Sequence, residues 1–477
     1  MSINELLPSF GWSGEAALAL ARAEQAVERL CHPQTGYRPV PREIDLGLEG
    51  GRGSSLLAVV QDACVALESC GYAARHPQSL AHMVPPPATV SVIGDFLKAA
   101  ANQCAFTVQQ GPLAPALEQA VLRWLGATLG FPEGSGGMLT SGGTVSNYAA
   151  AFLALDRARR TWPPNAKPCV IATDQAHFSI AKAARLIGLG EKALFRAPTG
   201  PDGRLDPGAV AKTVGRAELR GYRPFLFVCT GGTTNAGLME PVEPFAEEAA
   251  KAGAWLHIDG AHGGFRALAS APPQDYWTRA NSVAWDPHKT MFVPFPAGAL
   301  ILRDPGAAAA LAHRPDYAFQ EVGAPDPALA HIEGSRGLDA LKIWMTIRHF
   351  GRDGLRAIAD HLLALGGYLA KRVASDRRFE LIASPDTNIV CFRWIETGGT
   401  DVDAINRAIQ AELYEEGHTL LSRTRLGGRL ALRAVIQNPL TTERDLDALL
   451  AAVVASAMSL VNEADTPADA RRFARSA

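Results

Sequence analysis

Trp255-Leu256-His257-Ile258-Asp259-Gly260-Ala261-His262-Gly263-Gly264 begins as an apolar run and ends in a carboxylate, a small residue and glycines. Further on, Ser282-Val283-Ala284-Trp285 leads directly into Asp286-Pro287-His288-Lys289. Short apolar runs that stop in polar or glycine residues read as strands buried on both faces. Cys169-Val170-Ile171-Ala172, Phe225-Leu226-Phe227-Val228-Cys229 and Ala299-Leu300-Ile301-Leu302 have the same character. Helical stretches separate them, and strands that alternate with helices imply an α/β fold with a mostly parallel sheet covered on both faces. Ligands meet such sheets beyond the carboxyl ends of the strands, so Asp259 and Lys289 stand where a site is expected.

The flanking sequence frames this sheet. Residues 13–31 read as a helix capped by Ser13, and residues 55–71 as another, with a Pro- and Gly-rich stretch between them. The first 90 residues carry no strand signal. Helices follow at 88–103, after Pro85-Pro86-Pro87, and at 114–130, where Leu117, Val121, Leu125 and Leu129 form a core-facing stripe. The texture changes after residue 345: helix 353–374, strands 379–383 and 388–394, helix 401–416, strand 430–436 and helix 442–461 compose a small α+β C-terminal domain. The expected division is a helical arm over 1–87, a large domain over 88–345, the small domain over 346–462 and a polar tail over 463–477.

Composition excludes several functions. The chain has 477 residues, 47% hydrophobic and 20% charged, with a formal net charge of -2. That length fits about two to three folding units. Neither a basic excess nor a Lys/Arg run is present, so no nucleic-acid or anionic-membrane surface is expected. The first residues lack the pattern of a secretory signal, and the apolar run Leu449 to Val461 is too short to cross a bilayer. The seven cysteines (31, 64, 70, 104, 169, 229, 391) form no CxxC and no metal-ligand spacing, so reduced thiols, no metal and a cytoplasmic location are expected.

The motifs point to one cofactor, pyridoxal 5′-phosphate (PLP). A lysine on a loop beyond a buried strand suits attack on an aldehyde, although Lys289 alone also fits a surface lysine. Asp259 suits pairing with a protonated pyridine nitrogen, which makes the ring an electron sink; alone it also fits a turn cap. Ala261 is small enough to lie flat beneath the ring. Thr140-Ser141-Gly142-Gly143-Thr144-Val145-Ser146-Asn147 opens a helix, whose N-terminal N–H groups suit a phosphate. His177, in Asp174-Gln175-Ala176-His177-Phe178-Ser179, suits stacking on the outer ring face or a structural role. Thr233, in Gly231-Gly232-Thr233-Thr234, suits a contact to the cofactor or a plain turn.

TSGGT, QAHFS, GGTT, HIDGAHGG and DPHK, in that order, resemble the group II PLP-dependent amino-acid decarboxylases, which include the aromatic amino-acid and glutamate decarboxylases. The resemblance runs from about residue 60 to 460. It implies PLP fold type I, the aspartate aminotransferase-like architecture: a large domain with a mainly parallel seven-stranded sheet flanked by helices, and a small α+β C-terminal domain. It implies decarboxylation of an L-amino acid to the amine and CO2, in a homodimer with active sites at the subunit interface and the N-terminal segment wrapped around the partner. Lys289 matches the Schiff-base lysine, Asp259 the pyridinium partner, Ala261 the residue below the ring and His177 the stacking histidine. Gly143, Thr144 and Ser282 match phosphate binders, Thr233 a threonine near the cofactor, and His288 the histidine before the lysine.

Two segments are read only through the resemblance. His82 and Met83 fall in the substrate-side segment, and Arg433 in a strand that either touches substrate or supports the site. The mobile loop that usually brings a proton-donating Tyr corresponds to Gln320 to His331, which contains no Tyr. The usual Tyr position falls near Asp326; Tyr317 lies upstream, and His331 is another candidate acid. This departure leaves oxidative deamination to an aldehyde, or other lyase or transaminase chemistry, as the alternative on the same scaffold.

Overall fold

The structure is a computed structural model and describes residues 14–35, 37–38, 53–313, 326–399, 401–417 and 419–464. The expected Ser13 cap, Tyr317 and residues 320–325 of the loop lie outside the described residues. The chain divides into two compact units. One joins the described residues up to His82 with Glu396–Arg423 and the residues from Leu440 onward; the other comprises Met83–Ile395 and Thr424–Pro439.

The second unit is built on a seven-stranded sheet: β3 (Gly136–Thr140), β4 (Lys167–Thr173), β5 (Leu194–Ala197), β6 (Tyr222–Thr230), β7 (Trp255–Asp259), β8 (Ser282–Trp285) and β9 (Gly298–Leu302). Their order is β3-β9-β8-β7-β6-β4-β5. β9 runs antiparallel to both neighbours, and the pairs from β8 to β5 are parallel. β3 and β5, at the two edges, were not among the expected strands. β3 begins with two glycines, and β5 is four residues long with Arg196 exposed, so neither shows a buried-strand run.

Side-chain alternation explains why the sheet needs helices on both faces. Cys169, Ile171, Phe227, Cys229, Leu256 and Ile258 enter one core cluster. Val170, Ala172, Leu226, Val228 and Trp255 enter another. The first is covered by helices that include α4 (Ala114–Thr128), through Leu117, Val121 and Leu125. The second is covered by α5 (Gly143–Arg159), whose Ala149, Ala150, Ala151, Ala154 and Ala158 permit close approach.

The remaining elements follow the expected order. α3 (Thr89–Ala101) precedes α4; α6 (Phe178–Leu186), α7 (Gly208–Glu218) and α8 (Glu243–Ala252) alternate with the strands, and α9 (Pro287–Thr290) is one turn long. α10 (Ala340–Ser375) has non-helical backbone at Gly351, φ 62°, so two helices meet there. A second sheet, ordered β10-β11-β13-β12, holds β10 (Phe379–Leu381), β11 (Ile389–Trp394), β12 (Ser422–Leu426) and β13 (Arg429–Val435).

The expected cut at 345/346 falls inside the second unit. Ile382, Ile389, Cys391, Leu426, Ala431 and Val435 share a core cluster with Ala236 and Leu238, which follow β6. Composition along the chain does not report such packing. In the first unit, α1 (Gly14–Cys31) and α2 (Leu56–Ser69) are joined by a bidentate Arg29–Glu68 pair at 2.7 Å. The unit also holds a two-residue antiparallel pair, β1 (Tyr37–Arg38) with β2 (Gly71–Tyr72), where no strand was expected. α11 (Val402–Glu416) and α12 (Glu443–Ala464) belong to it as well, tied by Ser456 donating to Glu412 at 2.8 Å. Among the described residues no helix is long and apolar enough to cross a membrane.

Candidate active site

β3, β4, β6, β7 and β8 all deliver their carboxyl-terminal loops to one edge of the large sheet. β3 shares that direction because it and β8 both oppose β9. A cavity of about 310 Å3 opens there, lined by Gly142, Gly143, Thr144, His177, Asp259, Ala261, His288 and Lys289 among others. Residues expected from separate motifs thus converge on one space, all within the second unit.

Lys289 lies in the turn of α9. Its Nζ is 2.9 Å from Oδ2 of Asp286, and its side chain retains 23% exposure, toward the opening. Asp286 is 1% exposed, and its Oδ1 has no hydrogen-bond partner among the described residues. His288 stacks against Phe295 at 4.2 Å, and its Nδ1 accepts from the Ala297 N–H at 3.1 Å. Burial pushes His288 down to about 4, so the ring is neutral near pH 7.

Asp259 ends β7 and accepts from two donors. Its Oδ1 takes the Ala261 N–H at 3.2 Å and its Oδ2 takes Nδ2 of Asn147 at 2.8 Å. His177 caps α6, its Nδ1 accepting from the Ser179 N–H at 3.3 Å. Desolvation holds its pKa below the ordinary histidine value, against the attraction of Asp259.

The N-terminus of α5 forms the third wall. Its first N–H groups have no intrahelical partners and suit an anion. Gly142 has φ 153°, a conformation suited to glycine, and a Cβ there would lie 3.0 Å from Cε1 of His288. A Cβ at Gly143 would lie 2.8 Å from Cβ of Ala261 and 3.2 Å from Oδ2 of Asp286. A glycine-lined cradle, a cavity-facing amine, a carboxylate and an imidazole fit a phosphorylated pyridine aldehyde. His262 adds a buried acceptor without a partner among the described residues: its Nε2 donates to Asn388 Oδ1 at 2.9 Å, leaving Nδ1 bare. The Asn388 amide donates to the Ile436 carbonyl, which fixes that orientation.

Several expected residues stand elsewhere. Ser282 begins β8, at the end of the strand remote from Lys289. It is fully buried and bonded to Trp255 Nε1 and His257 Nδ1, both at 2.8 Å, and does not line the cavity. The resemblance that matched Ser282 to a phosphate binder did not register that a strand separates it from the lysine. Thr233 is also fully buried; its Oγ1 accepts from the Leu238 N–H at 3.1 Å and closes the turn, while Thr230, Gly232 and Thr234 line the cavity. Arg433 is 8% exposed and donates to the Thr234 carbonyl, which puts it behind the lining as a support. Met83 packs against the cluster of Ala236 and Leu238, and exposed His82 belongs to the first unit; neither lines the cavity. His331 is buried, bonded through Nε2 to the Leu139 carbonyl and through Nδ1 to the Glu333 N–H, and pushed down to about 4 by burial. It does not line the cavity, and its ring is neutral rather than imidazolium near pH 7. Asp326 is likewise turned inward, its Oδ1 accepting from the Val108 N–H at 2.7 Å.

Asn147, Thr230, His262 and Phe295 were missed. Asn147 and His262 lie inside motifs already singled out, but a short polar residue one turn into a helix, or beyond a glycine, looks the same whether it faces a site or a core.

The chain matches the family model described as the pyridoxal-dependent decarboxylase conserved domain over residues 51–395. It is 33% identical over 392 residues to an L-2,4-diaminobutyrate decarboxylase of Rhizobium meliloti (strain 1021), covering 81% of this chain and 79% of the relative. It is 27% identical over 490 residues to human cysteine sulfinic acid decarboxylase, covering 94% and 98%. The solved structure of the glutamate decarboxylase domain of a diaminobutyrate-pyruvate transaminase and L-2,4-diaminobutyrate decarboxylase from Vibrio parahaemolyticus superposes with a TM-score of 0.83 at 28% identity, covering 94% of this chain and 96% of that one. Fold and site together define a PLP-dependent lyase. The chain belongs to the pyridoxal-dependent decarboxylase family, and its reaction is PLP-dependent decarboxylation of an amino acid.

Proposed function

We propose that this cavity removes the α-carboxylate of an L-amino acid as CO2 and releases the amine, with Lys289 as the residue that carries the cofactor covalently. The observation that carries the reading is the convergence of Lys289, Asp259 and the Gly142–Thr144 turn on one cavity. PLP, when bound, supplies the electron sink that makes loss of the carboxylate feasible. The chain's own residues do the rest. Asp286 holds the Lys289 amine at 2.9 Å, its carboxylate facing the amine. Asp259 presents a carboxylate to the ring nitrogen, Ala261 leaves room beneath the ring and His177 closes the other face. The α5 N-terminus, with Gly143 and Thr144, takes the phosphate.

The same proposal includes a homodimer in which the partner completes the site. Val92, Ile93, Phe96 and Leu97 on α3 are exposed apolar side chains, which suit burial against another protein surface. A cytoplasmic location is part of it, on the chain's composition and unpaired cysteines.

The test is a panel of amino acids offered to PLP-loaded protein, with CO2, amine and oxygen followed together. 2,4-Diaminobutyrate leads the panel, because a relative at 33% identity is named for it; aromatic amino acids and cysteine sulfinate follow. CO2 matched by amine without oxygen uptake supports the proposal. Oxygen consumption with aldehyde, ammonia and peroxide would replace it with oxidative deamination, the alternative that the Tyr-free stretch 320–331 motivates.

A further inference from the structure

Behind Asp259 lies a continuous buried chain of hydrogen bonds. Trp255 Nε1 donates to Ser282 Oγ at 2.8 Å, and Ser282 Oγ is 2.8 Å from His257 Nδ1. His257 Nε2 is 2.8 Å from Asn147 Oδ1. Nδ2 of Asn147 donates at 2.8 Å both to Asp259 Oδ2 and to Ser179 Oγ. Ser179 Oγ is in turn 2.8 Å from His177 Nδ1. Asn147, His257, Ser179 and Ser282 are at most 2% exposed, so water does not substitute for these partners.

The polarity of the chain is determined from both ends. Indole N–H only donates, and a carboxylate only accepts. Asn147 must therefore present its amide nitrogen to Asp259 and its oxygen to His257. His257 then carries its proton on Nε2, and its bare Nδ1 accepts from the Ser282 hydroxyl. At the other branch the Ser179 N–H already donates to His177 Nδ1. The Ser179 hydroxyl, having accepted from Asn147, also donates there, which leaves the His177 proton on Nε2. Burial pushes His257 down to about 4 and lowers His177, so near pH 7 the chain sets tautomers rather than charges.

We propose that Asn147 is a positioning residue of this active site: oriented by Trp255, Ser282 and His257, it aims the Asp259 carboxylate at the cofactor ring and keeps the His177 proton on Nε2. The same chain assigns Ser282 and His257, which do not line the cavity, to the support of residues that do. The inference rests on the cofactor reading of the cavity. Its readouts, PLP affinity and imidazole tautomer, are independent of whether CO2 is released.

The test begins with cofactor-free protein carrying 15N-histidine. His177 and His257, assigned by the signals lost in His177→Gln and His257→Gln, should each show a bare Nδ1 and a protonated Nε2. A protonated Nδ1 on either ring overturns the proposal whatever the variants do. PLP titration then compares Asn147→Leu, His257→Leu and His257→Gln. The glutamine retains an amide donor where His257 Nε2 lies; the leucine does not. Asn147→Leu and His257→Leu should each weaken PLP binding about tenfold, the worth of one hydrogen bond to a charged group, and allow His177 a mixture of tautomers. His257→Gln should stay near wild type in both. If Asn147→Leu does not fold, the His257 pair decides. His257→Leu matching wild type in PLP affinity and His177 tautomer overturns the proposal, as does His257→Gln behaving like the leucine variant.

Discussion

Lys289 and Asp286 form the closest ion pair of the cavity, and Asp286 is almost completely buried. Lys289→Ala should abolish decarboxylation and leave PLP removable by dialysis, whereas borohydride should fix PLP to the wild-type protein; absorbance spectra after dialysis check both. Another buried carboxyl, Glu240, lies beside the site with no cation paired to it among the described residues. It accepts from Thr173 Oγ1 and, at 2.7 Å, from the Thr230 N–H, and burial pushes it up to about 7. Its folded pKa exceeds its unfolded one, so the folded state holds a proton that the unfolded state releases, and stability falls as pH rises from about 4.5 through 7. Glu240→Gln should remove this loss, worth on the order of 3 kcal/mol. Thermal unfolding between pH 5 and 8 measures it: the variant should gain on wild type as pH rises. At this scale the sequence disclosed Lys289, Asp259, Ala261 and His177 at the cavity, because strand ends carry them there. It did not disclose that Thr233 and Ser282 point into bonded cores, since a hydroxyl's partner is set by neighbours distant along the chain.

The elements account for the precision of the site. α5 is the wall at which backbone conformation and binding coincide. Gly142→Ala would put a side chain at φ 153°, 3.0 Å from His288, a strain on the order of 1–3 kcal/mol. The expected result is a lower Tm together with weaker PLP binding, read by thermal unfolding and cofactor titration. Gly351 tests the same principle away from the site. A Cβ there meets nothing within 4 Å, so Gly351→Ala exposes the backbone cost alone. It should lower Tm with no change in PLP affinity. The central strands and the helix over 353–374 were readable, because buried runs and helical periodicity are local signals. The edge strands β3 and β5 and the short β1–β2 pair were not, because partial exposure and brevity erase the pattern.

At the scale of the whole molecule, buried neutral histidines dominate the response to acid. His257, His288 and His331 are each pushed down to about 4 and His262 to about 3, all chiefly by desolvation. The unfolded chain takes up these protons near pH 6.5 while the folded chain does not, so the stability that these histidines contribute is complete above that pH and falls as pH drops toward 4. Tm should decline steeply across this window, and His257→Gln should shallow the decline. The proposed dimer predicts a mass of twice 50.6 kDa by sedimentation.

Local chemistry along the chain determined the class of fold and the residues at strand ends, since alternation, capping and glycine placement act over a few residues, and the resemblance carried by the ordered motifs determined the cofactor. Tertiary structure alone decided which hydroxyls and imidazoles face the cavity and which way the hydrogen bonds behind Asp259 run. It also carried the strands after residue 379 into the unit that holds the site. Those outcomes depend on partners brought together by sheet order, and a single chain of letters does not state that order.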